Sequence, residues 1–285
     1  FTICNANQFN NIGGDTYLVS LDYEVLKNLD FNDSTNAFTV GCGSELLNNF
    51  IPIGGGYSAS PSCDIGTASP FSGSFNGNNF TFLAPRFIFT DVVPSGASQM
   101  GLFRKTLQSS VIKHIKINHS NIGGIQDVGL LVGDCGGIIN NIEITQSHVE
   151  HREDLNNING QANIGALAGK GNANCIIDNV SVYKTRVSGS SDNVGGIIGS
   201  TSGDITKTQF FGDVEAYNSN KVGGIAGDIL ASSTVSEVAV EGFIRSNGIN
   251  LGGIVGYSTG TVEDAYMKGA VYSNKFENSG SAVNV

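Results

Sequence analysis

The sequence has few charged residues and little basic character. Charged residues are 14% of the chain, and 15 Lys and Arg stand against 25 Asp and Glu, which gives a formal net charge of −10 at pH 7. Proteins bind a nucleic-acid backbone through a Lys/Arg footprint, so this balance argues against a nucleic-acid partner. The same balance disfavours an anionic membrane surface.

Long apolar runs are also missing. The sequence contains no stretch of 18 apolar residues, so no transmembrane helix and no membrane insertion are predicted. The chain starts at Phe1 without a methionine or a signal sequence. We therefore expect a mature or trimmed piece of a longer chain.

The common catalytic and metal-binding phrases are absent as well. No nucleophile elbow that joins a strand to a helix is predicted, and no H-E-x-x-H phrase occurs. A group of ligand-type side chains lies within a turn or two of one another, and the polar stretch that holds most of them offers no rigid frame for a metal ion: His119, His148, Glu150, His151, Glu153 and Asp154. The sequence thus predicts no catalytic residues, no metal site and no cofactor, and the chain is not expected to be an enzyme.

Cysteines are few, and none forms a C-x-x-C pair. Cys4, Cys42 and Cys63 all lie in the N-terminal region, where one disulfide is expected in an oxidising compartment. The preferred pair is Cys42 with Cys63, and Cys4 is the rival partner. Cys135 and Cys175 lie in turns between repeated segments and are predicted to be small, buried, apolar thiols.

Glycine and aliphatic residues are plentiful, and they recur in a repeated phrase. Gly accounts for 39 of 285 residues, and hydrophobic residues for 40%. The phrase is VGGIIG at Val194–Gly199, with copies that start at Met100, Val128, Ile164, Val222 and Leu251, in steps of 28, 36, 30, 28 and 29 residues. A period of this length without helical spacing is typical of stacked β structure.

A second apolar segment, of the form I-x-x-V-x-V, follows each copy of the phrase. Its final alternation predicts a strand with one inward face, and the extra residue before that alternation indicates a bulge or corner. A short third segment often follows a corner glycine such as Gly212, Gly242 or Gly269. The predicted fold is therefore all-β, a β-solenoid (parallel β-helix) with about three short strands per turn.

These phrases resemble the GLUG-repeat family, which is named for its G-L-x-G phrase. An earlier segment also fits, because Pro52-Ile53-Gly54 is followed by an F-x-G-x-F-x-G run at Phe71–Gly77. The resemblance covers roughly residues 5–273. It implies a bacterial secreted or surface protein with a β-helical stalk, of the kind found in adhesins and a few secreted proteases.

The repeats also define the expected domain organisation. Residues 1–70 are expected to form an irregular N-terminal cap with one short helical turn over residues 5–12, while residues 34–69 form mainly loops. Residues 71–273 are expected to form the solenoid. Residues 274–285 are expected to be a C-terminal tail or a truncated next turn.

The leading functional hypothesis is a non-enzymatic extracellular or cell-surface module of a bacterial protein. Such a module would be adhesive, and its partner would be a host or prey surface protein or a glycan. Specificity is expected where the chain departs from its repeat, in the cap loops and in an insertion over residues 150–161. The predicted binding residues in this insertion are Glu150, His151, Arg152, Glu153 and Asp154.

Two alternatives remain open on the residues alone. A carbohydrate-active enzyme would use Glu237 and Asp264, which occupy the same bulge position on neighbouring turns, although Lys207 precedes them in that column. A purely structural stalk would assemble as a homotrimer or within a longer chain. Sugar binding is also considered for tyrosines expected on the surface: Tyr183, Tyr217, Tyr257, Tyr266 and Tyr272.

Overall fold

The structure is a computed structural model of the chain. It describes residues 1–14, 19–32, 39–42, 45–48, 52–54, 56–57, 65–66, 69–87, 99–151, 162–190 and 192–273. No helix in these ranges is long and apolar enough to cross a membrane.

The described residues form a parallel β-solenoid, which confirms the predicted fold class. Equivalent strands of successive turns pair in parallel and build three stacks. We call the largest the wide stack; its strands are Thr2–Ile3, Tyr23–Val25, Leu29–Asp30, Ser74–Asn76, Thr81–Leu83, Arg86–Phe87, Val111–Asn118, Asn121–Gly124, Ile138–Thr145, His148–His151, Ile176–Gly189, Asp204–Ala216, Thr234–Ser246, Thr261–Val262 and Ala265–Ser273.

Two narrower stacks complete each turn, and each contains six strands. The first narrow stack contains Gln99–Met100, Asp127–Val128, Asn163–Ile164, Asn193–Gly195, Lys221–Gly223 and Asn250–Gly252. The second narrow stack contains Phe103–Lys105, Val132–Cys135, Ala168–Gly171, Ile198–Thr201, Ala226–Ile229 and Val255–Ser258.

The repeated phrase forms two strands, one in each narrow stack, where we expected a single apolar segment. A side chain at Gly199 would collide with the backbone of Asn163 and Ile164 on the preceding turn, so only glycine lets these strands pack so closely. Ile197, at the bend between the two strands, is fully buried as predicted. The second and third segments, in contrast, merge into single long strands in the later turns, such as Thr234–Ser246.

The extra residue of the second segment is a left-handed bend repeated on six turns. Positive φ angles between 47° and 56° occur at His114, Asn141, Asn179, Lys207, Glu237 and Asp264. This conformation is uncommon for residues other than glycine and lets the chain turn while the flanking apolar residues stay inside. The predicted bulge is therefore confirmed as a regular column along the coil.

Helix Ala6–Gly14 (α1), where a helical turn was predicted, covers the N-terminal end of the core. The Asn5 side chain accepts a hydrogen bond from the Gln8 backbone N–H at 2.8 Å and caps the first turn of the helix. Phe9 is fully buried, and edge-to-face ring contacts surround it. Its partners are Phe31, Phe75, Phe82 and Phe103, with ring centroids 5.6–6.2 Å away.

The region expected to be mainly loop contains two short antiparallel pairs. Thr39–Cys42 pairs with Glu45–Asn48, and Gly56–Tyr57 pairs with Ile65–Gly66. The strands Thr2–Ile3 and Tyr23–Val25 also extend the wide stack into the stretch assigned to the cap. The domain boundary near residue 70 stays a prediction.

Candidate functional site

A second column of left-handed bends shapes the corner between the second and third segments. His119, Gln146 and Lys184 have φ angles of 55°, 50° and 49°, and all three side chains are exposed. On later turns the extra residue that forms this bend is missing: Gly212 pairs with Thr185, and Gly242 and Gly269 follow Gly212 in register, so the predicted corner glycines lie one position after the bend. The bend thus turns successive exposed side chains outward along one edge of the coil.

Buried hydroxyl groups hold this corner together. The Ser120 backbone N–H donates to Ser147 Oγ at 3.1 Å, and the Ser147 N–H donates to Thr185 Oγ1 at 3.4 Å. All three hydroxyl residues are at most 5% exposed. The corner of these three turns is therefore pinned by a hydrogen-bonded ladder, and the exposed side chains beside it stand on a rigid frame.

A cleft of about 510 Å³ lies on this corner, and we call it the corner cleft. It is lined by His119, Ser120, Asn121, Gln146, Ser147, His148, Lys184 and Arg186. Four of these side chains are of basic type and none is acidic. On a chain with a net charge of −10, the lining charges of Lys184 and Arg186 give this corner a local positive character that suits an anionic ligand.

The neighbours of two basic residues fix their positions. His148 Nε2 lies 3.0 Å from Ser188 Oγ, one turn along the coil. Arg186 forms an ion pair with Glu215, and its side chain is still 54% exposed. A guanidinium carries five N–H donors, so Arg186 can hold Glu215 and still donate to a ligand.

The predicted binding residues lie next to the corner cleft where the structure describes them. Glu150 and His151 belong to strand His148–His151 and are half-buried. His151 Nε2 lies 2.8 Å from the Ile125 carbonyl oxygen, so its ring is held by the backbone. Arg152, Glu153 and Asp154 lie outside the described residues, and the binding role of this set stays a prediction.

Glu237 and Asp264 occupy equivalent positions on neighbouring turns, as the alignment of the repeats predicted. Their flanking residues pair in register, Val235 with Val262 and Val238 with Ala265. Both carboxylates are exposed, and the exposed Lys207 precedes them in the column. This arrangement leaves the two acids solvated, and their catalytic role stays a prediction.

The described part of the chain contains no group of three or more His, Cys, Asp and Glu side chains that would hold a metal ion. His119 and His148, the candidate metal ligands, line the corner cleft instead.

Of the candidate sugar-binding tyrosines, Tyr183 is half-buried and packs against Phe211 with ring centroids 5.3 Å apart. The other four are 42–61% exposed: Tyr217, Tyr257, Tyr266 and Tyr272.

A buried polar row between the narrow stacks contains the most perturbed carboxyl group. Asn163 Nδ2 donates to Asp127 Oδ1 at 2.6 Å, and Asn193 Nδ2 donates to Asn163 Oδ1 at 2.8 Å. Burial raises the pKa of Asp127 to about 6, although the Asn163 hydrogen bond opposes the rise, and the nearby Asp134 adds to it. Lys105 neutralises Asp134 at 2.8 Å.

Perturbed carboxyl groups are often functional, but they also occur in structural ion rows. The row continues along the coil with an ion pair between Lys221 Nζ and Asp228 Oδ2 at 2.5 Å. The Lys221 ammonium also lies 4.8 Å from the Tyr257 ring centroid. Because the row runs along both narrow stacks and its side chains bond to one another, we assign it to stability, although Asn193 Oδ1 and Asp228 Oδ1 are buried without a hydrogen-bond partner.

Cys135 and Cys175 form a disulfide, with their Cα atoms 5.5 Å apart. Both residues are fully buried as predicted, but the prediction of free thiols is wrong. The parallel register pairs Cys135 with Gly171, and the turn that follows brings Cys175 back over Cys135. The predicted Cys42–Cys63 pair lies outside the described residues because of Cys63, and the rival Cys4 is a free thiol.

The fold and the corner cleft together define a β-solenoid with a basic site on one edge. No protein-family model matches the chain, so membership of the GLUG-repeat family is not shown. The chain is similar to halomucin of Haloquadratum walsbyi (strain DSM 16790 / HBSQ001), with 27% identity over 176 residues. This match covers 62% of the chain but spans only 2% of the length of halomucin.

A solved structure shares the fold. It is the crystal structure of a Bacteroides ovatus protein named a putative immunoglobulin A1 protease, with a TM-score of 0.56 and 14% identity. The match covers 94% of this chain and 84% of that chain. The expectation that the chain is not an enzyme is therefore wrong, because a protein named as an enzyme carries this fold. At this level of identity, the likeness shows the fold alone.

Reasoning from the sequence missed the corner cleft. Its basic side chains are spread over residues 119–186, and the I-x-x-V-x-V alignment of the second segments does not include them. Extending that alignment into the third segment places His119, Gln146 and Lys184 at one corner position. The signal was thus present in the register of the repeats.

Proposed function

We propose that the chain is an extracellular ligand-binding module of a surface protein, and that it holds an anionic glycan in the corner cleft. The observation that carries this proposal is the set of basic side chains, without an acid among the lining residues, on an otherwise acidic chain. The pinned backbone of the corner supports it, because a rigid frame lowers the ordering cost of binding.

The extracellular location is supported by the buried Cys135–Cys175 disulfide, since such bonds persist in oxidising compartments. The similarity to halomucin, a surface protein, points the same way. An adhesive role in the manner of GLUG-repeat proteins is part of this proposal. A glycan is favoured over nucleic acid as the anionic partner because the net charge of −10 repels a long polyanion elsewhere on the surface.

The test is an array of uronate-bearing, sulfated and neutral oligosaccharides, followed by titration of the strongest ligand. We expect Lys184→Gln to weaken binding about fivefold, in line with loss of one partly exposed charged contact. Lys207→Gln is the matched control, because Lys207 is also an exposed lysine in a left-handed bend but lies outside the corner cleft. Equal affinities in the two variants would remove the corner cleft from the proposal.

Peptide hydrolysis is a second candidate, and the 3.0 Å contact between Ser188 Oγ and His148 Nε2 favours it. In this scheme, His148 accepts the hydroxyl proton while Oγ bonds to a peptide carbonyl carbon. The proton then passes to the departing amine as the C–N bond breaks, and water hydrolyses the resulting ester by the same path. The name of the Bacteroides ovatus protein supports this candidate.

A fluorophosphonate probe tests the second candidate directly. An activated Ser188 would be labelled, and Ser188→Ala and His148→Ala would each abolish the labelling. Ser181→Ala is a control, because Ser181 lies on the same long strand but bonds to Gln209 instead of a histidine. A chain that the probe leaves unlabelled would eliminate acyl transfer at Ser188.

A further inference from the structure

The corner that holds the cleft continues along the coil without a break. The strand register places Asn121, His148, Arg186, Asp213 and Phe243 side by side on five successive turns. The first three line the corner cleft, and Phe243 is 42% exposed. A ligand longer than one sugar that follows this edge therefore leaves the basic cleft and reaches an aromatic side chain.

Phe243 is part of an exposed aromatic platform, which we define as Phe243, Arg245 and Tyr272. The two rings are stacked, with centroids 6.1 Å apart and planes inclined by 28°. The Arg245 guanidinium lies 5.5 Å from one ring and 5.7 Å from the other, so it fixes both. Tyr272 is 46% exposed. Such a fixed apolar surface suits the flat apolar face of a neutral sugar ring.

The stretch between the cleft and the platform carries no excess of positive charge. Glu215 is paired with Arg186 on one side and lies 3.6 Å from Arg245 on the other. Asp213 Oδ1 accepts the Phe243 backbone N–H at 3.2 Å. An anionic group is thus favoured only in the corner cleft, and the part of a ligand that passes over these turns is expected to be uncharged.

The spacing of the two parts fits one short ligand. Neighbouring parallel strands are about 4.8 Å apart, so Arg186 and Phe243, two turns apart, are separated by roughly 10 Å along the coil. A pair of linked sugar rings bridges such a distance. The charge and the aromatic surface therefore lie within reach of a single oligosaccharide.

We propose that the corner cleft and the aromatic platform are two subsites for one oligosaccharide, with a carboxylated sugar in the cleft and a neutral ring on the platform. This inference rests on the proposed glycan-binding function. It adds the ligand's charge pattern and its direction along the coil.

The test is calorimetric titration of the full chain with three probes: glucuronate, a tetrasaccharide with one terminal glucuronate, and a neutral tetrasaccharide. The acidic tetrasaccharide is expected to bind about tenfold more tightly than glucuronate, a gain typical of one ring stacked on aromatic side chains. Tyr272→Ala and Phe243→Leu should each remove most of this gain and leave glucuronate binding unchanged. A sulfated tetrasaccharide that outcompetes the glucuronate-terminated tetrasaccharide would overturn the assignment of a carboxylated sugar.

Tyr257→Ala is the matched control, because Tyr257 is also an exposed tyrosine with a cation near its ring but lies in the second narrow stack. If Tyr272→Ala and Tyr257→Ala behave alike, the platform is not a subsite. In that case the proposed function survives as long as Lys184→Gln still weakens glucuronate binding. If no probe binds, or if an acidic peptide competes better than the acidic tetrasaccharide, both proposals are overturned.

Discussion

Replacing Asp127 by asparagine should make the chain more stable at neutral pH. Burial raises the pKa of Asp127 from 3.8 to about 6, so the native state holds this proton more tightly than the unfolded chain does. Stability from this group is therefore present below about pH 4, falls as the pH rises towards 6 and stays low above it. The raised pKa of Asp127 therefore lowers the free energy of unfolding by at most about 3 kcal/mol at pH 7, relative to low pH.

Asparagine preserves the shape of this site and removes its charge. Its Oδ1 can still accept the hydrogen bond that Asn163 donates to Asp127 at 2.6 Å. For a chain of this size, about 3 kcal/mol corresponds to a Tm difference of about 5 °C. We expect Asp127→Asn to match the wild type near pH 4 and to melt about 5 °C higher at pH 7.

The assay is thermal unfolding followed by circular dichroism at several pH values from 4 to 7.5. Asp134→Asn is the control: it relieves some repulsion on Asp127 but gives up the ion pair with Lys105 at 2.8 Å, so its gain in stability should be much smaller. A Tm difference between Asp127→Asn and the wild type that stays constant from pH 4 to 7 would refute the reasoning.

Three further predictions concern the fold and the charge network of the corner. Ile197→Asp should prevent folding, because it buries an unpaired carboxylate at a cost of several kcal/mol. A cooperative melt like that of the wild type would contradict the inward position of Ile197. The double variant Cys135→Ser with Cys175→Ser should lose about 4 kcal/mol of stability, since the disulfide closes a loop with a sequence separation of 40. Denaturant unfolding with and without a reductant measures this loss. Glu215→Gln should strengthen binding of an anionic glycan, because it frees Arg186 from its ion pair. An unchanged affinity in titration would show that Arg186 does not contact the ligand.

Much of the fold could be predicted because stacking imposes a strict register on the sequence. Each turn must place apolar residues over those of the previous turn, so the I-x-x-V-x-V segments and the inward Ile197 were readable from the repeat. The division of the VGGIIG phrase into two strands was not readable. It depends on the close approach of neighbouring backbones at residues such as Gly199, and the repeat period says nothing about this packing.

The candidate site was harder to predict because it depends on which side chains meet across turns. Lys184 and His148 are distant in sequence and belong to segments that vary in composition from turn to turn. Cys135 and Cys175 illustrate the same limit, since their spacing resembles no disulfide motif and only the coil brings them together. Interactions along the stack are thus visible in the sequence only after every corner has been aligned.

The most direct test of the corner cleft as an anion site is a crystal structure of the chain with the glucuronate-terminated tetrasaccharide. The account predicts the carboxylate within hydrogen-bonding distance of Lys184 or Arg186 and a neutral ring over Phe243. A ligand bound on a flat face of the coil, or an empty corner cleft beside an occupied site elsewhere, would contradict it.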